Sequence, residues 1–264
     1  MNNYRIPTWF VVFLLATATS TATANAPDAP SRDDVVAALD QAIDFFHGQV
    51  SASGGYLWGY TPDLAVGEGE TAAARTTVWV QPPGTPSVGE AYLASWQATG
   101  RRPHLAAAVD AAYALARGQL QSGGWDYRIE FAPGDRARYA YRVDGATDGD
   151  DRRNMTTLDD DVTQAALRFL VRLDEALDFR HEPTHAAAVD GLDCLLRAQY
   201  PNGAWPQRYD SFADADDYPV QPASLPDGWS RTHPRRDYRG YYTLNDNTLA
   251  DCVDTLLFAA DVYE

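Results

Sequence analysis

An all-α architecture, a toroid or partial barrel of repeated helix pairs, follows from three features of this 264-residue chain. A segment recurs at a spacing of 80 residues, each copy holds two stretches with apolar side chains every three or four positions, and each copy closes on a glycine-bearing turn. Helices of this kind cover their apolar faces only against a neighbour, so the pairs must stack side by side.

The first stretch, Met1 to Ala26, carries one positive charge at Arg5, an apolar run from Trp9 to Ala16 and then small residues. It reads as a secretory signal peptide, with an uncleaved anchor as the alternative. Residues 27–264 then form one secreted or periplasmic domain, expected to be a monomer without membrane contact. A weak first repeat follows at Phe45-Phe46-His47-Gly48-Gln49 and Ser53-Gly54-Gly55-Tyr56. The second has helices from about Val88 to Thr99 and from Pro103 to about Gln119, then Gln121-Ser122-Gly123-Gly124-Trp125-Asp126-Tyr127-Arg128. The third has helices from Val162 to Leu177 and from Pro183 to about Gln199, then Pro201-Asn202-Gly203-Ala204-Trp205-Pro206-Gln207-Arg208. Ala106 to Asp110 and Ala186 to Asp190 are identical, and both prolines suit a first helical turn. Ser211 to Arg239, rich in Asp, Pro and Arg, reads as an elaborated loop. Tyr241 to Asp246 opens a fourth copy with one helix from about Thr248 to Glu264, so its partner helix is expected beyond Glu264, as in a C-terminally truncated domain.

The charge of -16 disfavours nucleic acid and anionic membranes as partners. All 21 basic residues are arginine, which removes lysine Schiff-base chemistry and leaves planar guanidinium groups for anion contacts. Cys194 and Cys252 read as buried thiols, with a single disulfide as the alternative.

His181-Glu182-Pro183-Thr184-His185 spells a zinc-protease motif, but Pro183 places the histidines across a loop-to-helix corner, so an exposed turn is expected. Asp144, Asp148, Asp150 and Asp151 lack EF-hand spacing and read as a solvated acidic loop. Asp159-Asp160-Asp161 is different, because it stands where a repeat's first helix begins, as does Asn245-Asp246-Asn247. Equivalent helix starts share one rim of a toroid. Asp159, Asp160 and Asp246 therefore either meet around one cation or act as two independent helix caps. Trp125, Arg128, Trp205 and Arg208 are the candidate substrate contacts, since aromatic rings stack on sugars and arginine pairs with carboxylates. The alternative is that both tryptophans plug the toroid and the arginines neutralise nearby aspartates.

Together Thr157-Leu158-Asp159-Asp160, the run from Gln199 to Arg208 and Tyr242 to Asn247 resemble the pectic acid lyases, polysaccharide lyase family 10. The resemblance covers about Thr77 to Glu264. It implies an (α/α) toroid that cleaves polygalacturonate by β-elimination, with Ca2+ as cofactor and an acidic polysaccharide such as pectin as partner. It further implies that Asp159 and Asp246 match the calcium and substrate-site aspartates, with Asp160 standing where the family usually has Asn. The matching arginine base falls beyond Glu264, so no catalytic residue is assigned. Two alternatives remain: a glycosidase using Asp159 and Asp246 as an acid and base pair, and a catalytically incomplete, calcium-dependent pectin binder.

Overall fold

The computed structural model describes residues 29–145, 151–218, 232 and 237–264. Met1–Ala26, where the sequence predicts a signal peptide, together with Asp148, Asp150 and most of the loop after Ser211, lie outside the described residues.

Helix α1 (Arg32–Phe45) starts at a reciprocal cap, in which the Ser31 hydroxyl accepts from the Asp34 backbone and the Asp34 carboxylate accepts from Ser31. The pairs announced by the repeat then appear. They are α2 (Thr85–Thr99) with α3 (Arg102–Gly118), and α5 (Val162–Ala176) with α6 (Glu182–Arg197), with the single turn α4 (Pro133–Arg136) between them. Pro103 and Pro183 both sit in the first turn of their helices, where a missing N–H costs nothing. Helix α7 (Thr248–Tyr263) closes the described chain. None of the described helices is long and apolar enough to cross a membrane.

The helices form two rows. Helix α5 lies between α2 and α7, while α3 packs on α6 behind them and α1 touches both α2 and α3. Alanine makes this close approach possible: Ala107, Ala108, Ala111 and Ala112 of α3 and Ala187 and Ala188 of α6 are all fully buried. Gly89 does the same for α2, since a Cβ there would lie 2.3 Å from the Phe169 ring of α5.

Short strands, which the all-α reading missed, connect the helices at one end. β1 (Gly59–Tyr60), β2 (Gly67–Glu68) and β3 (Ala72–Ala73) form an antiparallel sheet. β4 (Thr77–Trp79) pairs with β5 (Arg128–Glu130), and β6 (Thr156–Thr157) with β7 (Arg208–Tyr209). The two ladders share one register. Trp79 faces Arg128 as Thr157 faces Arg208, and the next bonds run from Val80 N–H to the Tyr127 carbonyl and from Leu158 N–H to the Gln207 carbonyl. One residue further on, Gln81 and Asp159 are therefore equivalent positions of successive repeats.

Candidate functional site

The chain enters α5 and α7 through the same turn. Leu158 and Leu244 have nearly equal backbone angles (φ -99°, ψ -8° and φ -116°, ψ -11°). One residue further on, after Asp159 and Asn245, come two consecutive left-handed residues, Asp160 and Asp161 at φ 51° and 59°, and Asp246 and Asn247 at φ 49° and 56°. A left-handed non-glycine residue costs about 1 kcal/mol, least for Asp and Asn, whose short polar side chains bond locally. This explains the residue types at all four positions, and it makes Asp160 the repeat partner of Asp246.

The two turns lie against each other and bring Asp159, Asp160 and Asp246 together, with one oxygen from each carboxylate within 4.8 Å of the others. Asp159 is only 8% exposed, and its Oδ1 has no hydrogen-bond partner among the described residues. The Tyr127 hydroxyl lies 3.1 Å from Asp159 Oδ2 and 2.9 Å from Asp160 Oδ2, but with one proton it can donate to only one of them at a time. Arg208 donates to the Tyr127 oxygen at 3.0 Å and stands 3.5 Å from Asp159 Oδ2. Burial, and then the charge of Asp160, raise the Asp159 carboxyl above the ordinary carboxylate range. Burial, followed by the Asp160 contact, likewise raises the Tyr127 phenol.

This donor set fits a hard cation. Two oxygens of one calcium shell, each at about 2.4 Å, lie at most about 4.8 Å apart, and calcium prefers carboxylate ligands. The buried, unpartnered Oδ1 of Asp159 is the acceptor such an ion would satisfy. Asp161 is turned elsewhere, onto Arg168, which also reaches Thr255 of α7.

The tryptophans require a correction. Trp125 is fully buried and Trp205 is 3% exposed, and their indole N–H groups donate to the carbonyls of Leu115 and Leu195 at 2.8 and 2.9 Å. Each closes the C-terminal end of the helix before it, so neither buried ring offers a face to a sugar. Arg208 does reach the carboxylate cluster. Arg128 stands at the equivalent place one repeat earlier, 41% exposed and 3.3 Å from Glu130. The two motif histidines part company, His181 to Thr184 at 2.8 Å and His185 to the buried Asp174 at 2.7 Å. Asp144 pairs with Arg136 at 2.8 Å. Cys194 and Cys252 are free thiols, Cys252 buried and Cys194 partly so.

The sequence profile of the pectic acid lyases matches residues 119–263, more than half of the chain. The chain belongs to the pectic acid lyase family. Among solved structures it is similar to a family 10 polysaccharide lyase from Cellvibrio cellulosa, with 14% identity over 67% of this chain and a TM-score of 0.44. It is also similar to a mutant of a family 10 polysaccharide lyase from that organism in complex with trigalacturonic acid, with 18% identity over 64% of this chain and a TM-score of 0.41. The chain spans about half the length of each, 53% and 51%. No curated protein matches it.

In this family member the matched segment contains all three carboxylates together with Trp125, Arg128, Trp205 and Arg208. Two polar residues, one at the cluster and one in the cavity beside Tyr127, escaped the sequence reading. Tyr127 carries no periodic signal and shows its role only through its contacts with Asp159 and Asp160. Arg153 lies in the loop before β6, and its equivalence to Arg239 emerges once Leu158 is aligned with Leu244.

Proposed function

We propose that this chain is a secreted, calcium-assisted polygalacturonate lyase domain whose two helix rows curve as an arc of an (α/α) toroid. The observation that carries the reading is the convergence of Asp159, Asp160 and Asp246 on two equivalent strained turns, around a buried carboxylate oxygen without a partner among the described residues. Strain retained at matching positions of two repeats points to function rather than packing, since ordinary helix caps need no left-handed aspartates.

Asp159, Asp160 and Asp246 would hold the ion. The chemistry a bound calcium supplies is charge withdrawal from the C6 carboxylate of a galacturonate, which makes the C5 proton easier to remove. The chain's own residues do the positioning. Tyr127 braces the two adjacent carboxylates, and Arg208 leans on the Tyr127 ring at 5.0 Å. The exposed edge of the Arg208 guanidinium would fix a uronate carboxylate beside the cluster. The family match supports a lyase, and the all-oxygen donor set supports calcium over zinc. Three crowded carboxylates with an arginine among them favour metal binding over the two separated carboxyl groups of a glycosidase.

The test is to incubate the chain with polygalacturonate, with and without a calcium chelator, following both binding and the ultraviolet absorbance of unsaturated uronide. Calcium-dependent binding with product growth is expected. Calcium-dependent binding without product would move the pectin-binding reading to the front, and cleavage that survives chelation would overturn the calcium site.

A further inference from the structure

A cavity of about 220 Å3 is lined in part by Tyr127, whose hydroxyl contacts the carboxylate cluster. Its walls include Trp79, Asp126, Tyr127, Arg128, Tyr139 and Arg153. Both arginines are anchored from below by acids that are themselves shielded. Arg153 Nε donates to Asp126, 4% exposed, and Arg128 Nε points to Glu130, whose carboxylate is held at 2.6 Å by the buried Thr77 hydroxyl. The arginine side chains remain 49% and 41% exposed. The terminal nitrogens of Arg153 have no hydrogen bond among the described residues, and Arg128 is steadied by Tyr139. A guanidinium held at Nε with its terminal nitrogens open, as in Arg153, is set up for bidentate contact with a carboxylate, and Arg128 beside it adds a second positive charge.

The repeat supplies an independent observation. Arg128 aligns with Arg208, and Arg153 aligns with Arg239. Arg208 and Arg239 line a second, larger cavity of about 380 Å3. The fold thus builds two cavities, each with a repeat-related arginine pair, and each has a lining residue in contact with the carboxylate cluster. Tyr127 lines the first cavity and contacts the cluster, while Arg208 lines the second and contacts Tyr127. A linear polyuronate carries one carboxylate per sugar, a periodic charge that recurring arginine pairs can follow.

We propose that the cavity at Arg128 and Arg153 is a distal galacturonate subsite, in which the two guanidinium groups hold the carboxylate of a sugar remote from the cluster. The proposal rests on the polygalacturonate reading and extends it. Because Asp126 and Glu130 balance the two cations, recognition is local and geometric rather than a long-range field. The subsite serves long chains and is idle with short ones.

Its test is calorimetric titration of the full chain with galacturonate oligomers from dimer to hexamer, in calcium. The wild type gains affinity with length. Arg153→Gln loses about tenfold on the hexamer, which is 1.4 kcal/mol, while its dimer affinity stays unmoved, so the gain with length shrinks. Arg153→Lys restores the charge without the fork and recovers only part of the loss. Should Arg153→Gln misfold through the bared Asp126, the pair Asp126→Asn with Arg153→Gln removes both charges and gives the same readout. A folded variant that binds hexamer as tightly as the wild type overturns the subsite but leaves the polygalacturonate reading standing. No binding of any oligomer to the wild type overturns both.

Discussion

Replacing Asp160 by asparagine removes one of three crowded charges while keeping the size and the local bonding suited to a left-handed residue. Without calcium, the three carboxylates repel. At 4.8 Å two unit charges repel by about 3 kcal/mol at an effective dielectric of 20 and by about 1 kcal/mol in water. Asp160 is half-buried, and the Tyr127 hydroxyl absorbs part of the repulsion, so the lower value applies. Asp160→Asn should therefore stabilise the calcium-free chain by about 1 kcal/mol, roughly 2 to 4 °C in melting temperature for a chain of this size. In calcium the same change removes an anionic ligand and should weaken ion binding by about tenfold. Scanning calorimetry in chelator and calcium titration of wild type and variant provide the two numbers. The reasoning depends on their opposite signs. A variant that melts lower in chelator, or that binds calcium as tightly as wild type, would refute it.

Trp125→Ala should cost about 3 to 5 kcal/mol in urea unfolding and leave calcium affinity unchanged in the folded fraction, because the indole plugs the core rather than meeting ligand. Burial, and then the charges of Asp251 and Asp161, push the Cys252 thiol from an ordinary 9.0 up to about 12. The fold keeps this proton longer than the unfolded chain, so its contribution is complete below about pH 9 and is lost as pH rises toward 12. Wild type should accordingly lose up to about 3 kcal/mol more than Cys252→Ala between pH 8 and 11, and parallel denaturation midpoints across that range would contradict it.

Much of the helical layout was legible because small and apolar side chains recur in register. Ala107 and Ala187, or Pro103 and Pro183, mark the same position in two helices, and helix boundaries fell within three residues of expectation. The strands were not legible, since two or three residues show no alternation. Asp159, Asp160 and Asp246 were visible through their placement before equivalent helices. Their convergence depends on the left-handed turns, which sequence alone does not reveal. The tryptophans show the limit most clearly. Trp125 and Trp205 recur as a binding residue would, yet what recurs is a bond from each indole to the end of its preceding helix. Arg128 read as one residue of a motif, while its partner Arg153 sits far along the chain and needed the shared register of the two ladders to be found.

The central claim is that Asp159, Asp160 and Asp246 hold a single calcium ion. The measurement that tests it most directly is calorimetric titration of calcium into the full chain and into Asp246→Ala, with circular dichroism to verify that both are folded. The Asp246 side chain is exposed, but alanine at its left-handed position costs about 1 kcal/mol, which is why the fold of the variant is verified alongside. The account predicts one site in the wild type and its loss, or a weakening of at least tenfold, in the variant. Wild-type protein that takes up no calcium, or a variant that binds it undiminished, would contradict the account.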